Sequence, residues 1–228
     1  MANQRELFLT KILNNRVIKH SESHLLRKDG SKWWGSTNAH LLKGVDVSHA
    51  CALLAQHPIF FEQVNCVSIN LSGPSLTNRN FLELILSIFK EAGVSPAMVC
   101  FEVTETVAVS NLDSAINFIR ILKESGFRFA LDHFGSGISS FGYLKNLPLD
   151  YLKIDEMFVK NIVEDPIDYA IVKSINEMGH LMGMQTIAEY VENDEVKVML
   201  TAIGIDYGQG YGLGKPKPLK DLIAQRTA

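Results

Sequence analysis

VCFEVTETVAVSNLDSAINFIRILKESGFRFALDHFGSG, residues 99–137, is the stretch that decides the fold. Val99 to Val103 is a short β-rich run, and Phe127 to Leu131 is another. Between them lies a helical segment that runs to about Ser125 and stops at Gly126; Ser110 and Asp113 resemble a capping box at its start. Each strand carries an acid at or near its C-terminal end, Glu102 in the first and Asp132 in the second. A Gly/Ser-rich loop follows from Gly135 to Ser140.

The same alternation extends on both sides. Toward the C-terminus, Tyr151 to Ile154 is a strand, and Asp165-Pro166 opens a helix with Ile171, Ile175, Met178 and Met182 on one face. Gln185 to Val191 is a further strand, Asn193 caps a helix ending near Gly204, and Ile205 to Tyr211 is the last strand. Toward the N-terminus, Val64 to Leu71 reads as a strand. Phe81, Leu84, Ile85, Ile88 and Phe89 then recur at helical spacing before Gly93. Strands alternating with helices imply a mostly parallel sheet with helical crossovers. Six strand units follow residue 64, and Arg16 to His20 and Lys32 to Gly35 supply two more. Eight close a TIM-like (β/α)8 barrel; a doubly wound open sheet is the competing arrangement. No repeat, linker or low-complexity tract interrupts the chain, so residues 1–228 read as one domain.

Bulk properties narrow the function. The formal net charge of -3 argues against a general nucleic-acid or anionic-membrane surface. Cys51, Cys66 and Cys100 form no C-x-x-C, so neither a disulfide framework nor a zinc site is implied, and a reducing cytoplasm is the expected location. The N-terminus opens polar, without an apolar run of signal-peptide form, and no stretch approaches a membrane span of about 18 apolar residues, so direct membrane insertion is not expected.

Every strand after residue 64 carries a polar group at or near its C-terminal end: Asn70, Glu102, Asp132, Lys153 with Asp155, Glu189 and Gln209. In a parallel barrel those ends converge on one mouth, where active sites lie. Oxygen donors of this kind suit Mg²⁺ or Mn²⁺. Paired ions would suit in-line displacement at a phosphodiester, with a carboxylate bridging them and a lysine stabilising charge or orienting water. Taken singly, each acid is as readily a helix cap or loop residue. It is their recurrence in successive units that favours a site.

These residues carry a family resemblance. Asn70-Leu71-Ser72 resembles the N-[IV]-S strand of the EAL family, and Glu102-Val103-Thr104-Glu105 its E-[LI]-T-E. Leu131 to Gly137, followed by Ser139-Ser140, resembles D-D-F-G-[TS]-G-x-S-S. Leu152-Lys153-Ile154-Asp155 resembles L-K-I-D, and Ala188-Glu189-Tyr190-Val191-Glu192 resembles A-E-G-V-E. Gln209-Gly210-Tyr211 and Lys215-Pro216 resemble the closing Q-G-[YF] and K-P. Order and spacing hold across residues 64–219, while residues 1–63 are divergent and shortened.

The resemblance implies an α/β barrel whose first strand is antiparallel, cyclic di-GMP as ligand, and two Mg²⁺ or Mn²⁺ ions. Carried over by position, Asn70, Glu102 and Asp132 are expected to ligate metal, with Asp132 as the bridge. Glu189 is expected to serve the metals and the chemistry, and Lys153 is the catalytic lysine. Asp155, Gln209 and Pro216 are expected to contact ligand, and Glu105 to anchor the loop after Asp132.

Two departures follow. His133 stands where D-D-F-G has its second aspartate, which removes a negative charge from a site built for hard cations. The glutamate of E-A-L-x-R, expected on the second strand, has no counterpart. One alignment sets Ser23-His24-Leu25-Leu26-Arg27 on that motif. The preferred one takes Arg16 to Glu22 as the first strand and Lys28-Asp29-Gly30 as the turn, placing Thr37 or Asn38 at the glutamate position. The second βα unit is also shorter than the family's by roughly two dozen residues. Trp33 and Trp34 fall in this region, as cover for exposed core or as a contact surface.

The resemblance therefore implies a degenerate domain: a catalytically impaired cyclic di-GMP receptor, or a module for a protein partner or homodimer. The alternative is an active Mg²⁺- or Mn²⁺-dependent phosphodiesterase producing linear pGpG.

Overall fold

The computed structural model describes residues 23–27, 32–35, 45–57, 66–137 and 141–215, with side chains described from residue 47 onward. The eight strands are β1 (Ser23–Arg27), β2 (Lys32–Gly35), β3 (Val67–Asn70), β4 (Val99–Thr104), β5 (Arg128–Phe134), β6 (Tyr151–Ile154), β7 (Gln185–Ala188) and β8 (Tyr207–Gln209). They form one sheet in the order β2-β1-β8-β7-β6-β5-β4-β3. β3 to β8 are parallel in sequence order, and β1 pairs antiparallel with both β8 and β2. The arrangement is α/β and barrel-like. β2 and β3, at opposite ends of the order, lie near one another.

The helices are α1 (Val45–Gln56), α2 (Gly73–Leu76), α3 (Arg79–Ala92), α4 (Glu105–Ser110), α5 (Leu112–Glu124), α6 (Glu156–Val159), α7 (Pro166–Leu181) and α8 (Asp194–Ile203). Local chemistry sets their ends. Asp165 Oδ1 accepts from Ile167 N at 2.7 Å with Pro166 in the first turn of α7, and Asn193 Oδ1 accepts from Val196 N at 2.9 Å to open α8. Gly93 ends α3 at φ 62°, a conformation glycine adopts without steric cost.

Several expectations meet the structure here. The first strand among the described residues is Ser23–Arg27, and the strand expected at Arg16 to Glu22 lies outside the described residues. Ser23 to Arg27, set on E-A-L-x-R in one alignment, form the strand that pairs antiparallel with β8. Lys28-Asp29-Gly30, Thr37 and Asn38 lie outside the described residues. Ser110 opens no helix: it ends α4, its hydroxyl donating to Thr106 O at 2.7 Å, and Asn111 precedes α5 without a side-chain cap. A serine bonded back to the carbonyl four residues earlier is spent within its own helix.

The core follows strand alternation. Phe101, Val103, Phe129, Leu131, Leu152 and Ile154 are buried against the helix layer, where α3 contributes Ile85, Ile88 and Phe89 and α5 contributes Phe118, Ile119 and Leu122. Among the described residues, no helix is long and apolar enough to cross a membrane.

Candidate functional site

Successive residues of a strand point to opposite faces, so positions two apart share one. On the inner face, Cys66, Cys100, Ala130, Tyr151, Ile187 and Tyr207 form a buried cluster of their own. Two residues further along each strand come Ser68, Glu102, Asp132, Lys153, Glu189 and Gln209. Asn70 follows Ser68 by two more and sits in register beside Glu102. The strand alternation thus stacks a charged layer above an uncharged one.

Lys153 organises the charged layer. Its Nζ lies 2.6 Å from Asp132 Oδ1, 3.0 Å from Glu189 Oε1 and 3.1 Å from Glu102 Oε2. The residue is 1% exposed. A lone ammonium buried this deeply would lose its proton, but three carboxylates hold it charged. Burial pushes its pKa down, the charges of Glu102, Glu189 and Asp132 outweigh that, and the net direction is well above the usual lysine value. The acids divide. Burial raises Glu102 and Glu189, and Lys153 only partly offsets it. Burial also pushes Asp132 up, but the charge and hydrogen bond of Lys153 prevail and its pKa falls. Asp132 is thus the acid that most firmly keeps its charge.

His133 is the second cationic element. Its backbone is left-handed, φ 54°, and its side chain is half exposed. Nδ1 lies 3.1 Å from Asp155 Oδ2 and 3.5 Å from Glu189 Oε2, and Nε2 lies 3.7 Å from Asp132 Oδ2. Burial lowers its pKa, but Asp132 and Glu189 more than offset this, and the net direction is up. Asp155 does double duty: its other oxygen accepts from Met157 N at 2.9 Å and caps α6.

The donor set fits a divalent cation. Asp132, His133 and Glu189 each offer one ligand atom, and these atoms lie within 4.8 Å of one another. Glu189 Oε2 and Gln209 Oε1 are sealed from solvent and accept no hydrogen bond. Orphaned oxygens in an acid-rich site cost stability until a proton donor or a cation meets them.

Glu105, at the start of α4, accepts from Gly135 N at 3.0 Å and from Tyr143 OH at 2.5 Å, tying the segment after β5 to the end of β4. Gly135 is required there: at φ 98°, a Cβ would come within 2.6 Å of Phe158. Tyr190, where the motif has glycine, also has a left-handed backbone, φ 61°.

Glu102, Asp132, Lys153 and Glu189 therefore come together, with His133 and Asp155 adjoining them. Gln209 and Asn70 end flanking strands, and Pro216 lies outside the described residues. Sequence reasoning missed Tyr143, whose partnership with Glu105 spans 38 residues and leaves no local signal. It also missed Asp155 as the partner of His133. Its position two residues after Lys153 was visible, but not that its carboxylate turns toward β5.

The EAL domain family profile matches residues 39–216. Cyclic di-GMP phosphodiesterase PdeB of Shewanella oneidensis is 48% identical over 163 residues, which is 72% of this chain and 19% of that protein. Cyclic di-GMP phosphodiesterase PdeF of Escherichia coli is 40% identical over 156 residues, 68% of this chain and 21% of that protein. The matched region thus spans about a fifth of the length of these curated relatives. Among solved structures, the EAL domain of Mycobacterium smegmatis DcpA superposes with TM-score 0.83 at 28% identity, covering 92% of this chain and 95% of that one.

Proposed function

The chain belongs to the EAL domain family, and from that premise we propose that it is a cyclic di-GMP receptor domain with impaired hydrolysis. The observation that carries the proposal is the charge balance of the mouth. Lys153 compensates Glu102, Asp132 and Glu189, while His133, in place of an aspartate, lies against Asp132, Asp155 and Glu189. Two side-chain cations already offset part of the acids' charge, and His133 stands where the family motif has a further aspartate.

Residues 1–228 act as one domain on a closed barrel with a reduced second βα unit. Asn70, Glu102, Asp132 and Glu189 would hold a divalent cation. When bound, it would polarise a phosphodiester and favour a nucleophilic hydroxide. Lys153 holds a proton firmly and is placed to orient water or steady developing charge. Asp155, Gln209 and Pro216 contact the nucleotide, and Glu105 anchors the loop after Asp132. With the aspartate position filled by His133, a second cation loses a ligand. Losing even an indirect partner of a metal ligand costs about 10–100-fold, so the loss in turnover is at least of that order. The three cysteines form no disulfide with one another, which suits a reducing cytoplasm.

Calorimetric titration with cyclic di-GMP, paired with chromatography for the linear dinucleotide, tests this. Binding with little or no turnover in Mg²⁺ or Mn²⁺, and a gain of turnover in His133→Asp, is the expected result. Robust wild-type turnover that disappears in Lys153→Ala would instead make the chain an active phosphodiesterase. No binding at high micromolar ligand would leave a protein-interaction module.

A further inference from the structure

We propose that Asp132, His133 and Glu189 form a mixed nitrogen–oxygen site that selects a late first-row divalent cation, such as zinc or cobalt, over magnesium. The inference rests on the reading of this mouth as a cation and nucleotide site, and it names which cation that site takes.

The two carboxylates divide their oxygens. Asp132 Oδ1 and Glu189 Oε1 face Lys153 Nζ, at 2.6 and 3.0 Å. Their other oxygens turn to the imidazole: Asp132 Oδ2 lies 3.7 Å from Nε2 and Glu189 Oε2 lies 3.5 Å from Nδ1. Lys153 therefore uses only half of each acid, and the half it leaves points toward His133. Glu189 Oε2 is sealed from solvent and accepts no hydrogen bond, and His133 Nδ1 at 3.5 Å is its ionic neighbour, so the site contains a buried acceptor without a donor of its own.

The imidazole is oriented for ligation. Nδ1 lies 3.1 Å from Asp155 Oδ2, a contact that places the neutral ring's proton on Nδ1 and its lone pair on Nε2. That lone pair then faces Asp132 Oδ2, another acceptor. A carboxylate behind a histidine whose other nitrogen meets a metal is the usual arrangement at such sites, because it fixes both tautomer and ring angle. Asp155 is fixed in turn by capping α6. The half-exposed ring leaves a cation a route in from solvent.

Donor softness then sets the preference. Carboxylate and carbonyl oxygens alone suit magnesium and manganese, whereas an imidazole nitrogen suits zinc, iron, nickel and copper. Replacing an aspartate by His133 exchanges a hard anionic donor for a neutral borderline one. That lowers the attraction for magnesium and keeps the bond to a transition metal.

The test uses the full chain stripped of metal, with Zn²⁺, Co²⁺ and Mg²⁺ titrated calorimetrically into wild type, His133→Asn and His133→Asp, without nucleotide. Asn and Asp both tolerate a left-handed backbone, so neither variant forces a refolding of the turn. Wild type is expected to take up one Co²⁺ with visible ligand-field absorption. H133N is expected to weaken Zn²⁺ and Co²⁺ at least about tenfold, to change that absorption, and to leave Mg²⁺ within about twofold. H133D is expected to strengthen Mg²⁺. Equal Co²⁺ affinity and an unchanged spectrum in H133N would overturn the inference, as would the absence of stoichiometric uptake by wild type. Because no nucleotide is present, failure here is separate from failure to bind cyclic di-GMP.

Discussion

The inner face of the sheet has two layers, two residues apart along the same strands, and they obey different rules. The lower layer, Cys66, Cys100, Ala130, Tyr151, Ile187 and Tyr207, is uncharged. It is held by packing, with Tyr151 and Tyr207 edge to face at 6.0 Å. The upper layer, Glu102, Asp132, Lys153 and Glu189, is buried except for the partly buried Glu189, and it is held by charge. The difference teaches that burial alone does not mark a functional layer. What marks it is an excess of acid over base, left for something to balance.

The sharpest way to break this comparison is Lys153→Met, which keeps most of the stem and removes the charge. Two buried carboxylates and the partly buried Glu189 would lose their shared partner, and unfolding free energy from urea titration is expected to fall by about 3–5 kcal/mol. A loss under about 1 kcal/mol would mean that charge does not hold the upper layer. In the lower layer, Ile187→Ala is expected to cost about 2–5 kcal/mol, as a core truncation does, while leaving the folded protein's affinity for cyclic di-GMP unchanged. A change in affinity would show that the layers are not separable.

A smaller effect is expected at the loop anchor. Tyr143→Phe removes the hydroxyl that Glu105 accepts, at a cost of about 1.5 kcal/mol, and faster hydrogen exchange at Gly135 N should accompany it. The smallest concerns pH. The net pKa of His133 is raised in the fold, so its stabilising contribution is complete below its unfolded value of about 6.5 and is lost as pH rises through the folded value. In metal-free protein with chelator, the urea midpoint is expected to fall across that window, and His133→Asn should remove that part of the slope.

Much of the fold was legible because its signals are local. Asp165-Pro166 opens a helix through its own side chain, and Gly93 ends one through its own backbone. Periodicity located β3 to β8 to within a few residues. Where an expectation failed, a distant or competing partner had decided the outcome. Ser110 looked like a cap because a serine and an acid stood three apart, yet its hydroxyl was taken by Thr106 O. The strand Ser23–Arg27 was not located from the sequence, because its pairing with β8 is nearly two hundred residues away in the chain and leaves no local mark.

The candidate site divides in the same way. The sequence by itself determined which groups stand at the strand ends, because strand alternation makes every second residue share a face; the resemblance to D-D-F-G added that His133 stands where that motif has an aspartate. The tertiary structure alone decided how those groups share charge. Lys153 takes one oxygen of Asp132 and one of Glu189, and His133 meets the other two from a left-handed turn with Asp155 behind it. Strand spacing fixes a side chain's face, but only packing between strands fixes the separation of a few ångströms at which charges and ligand atoms act.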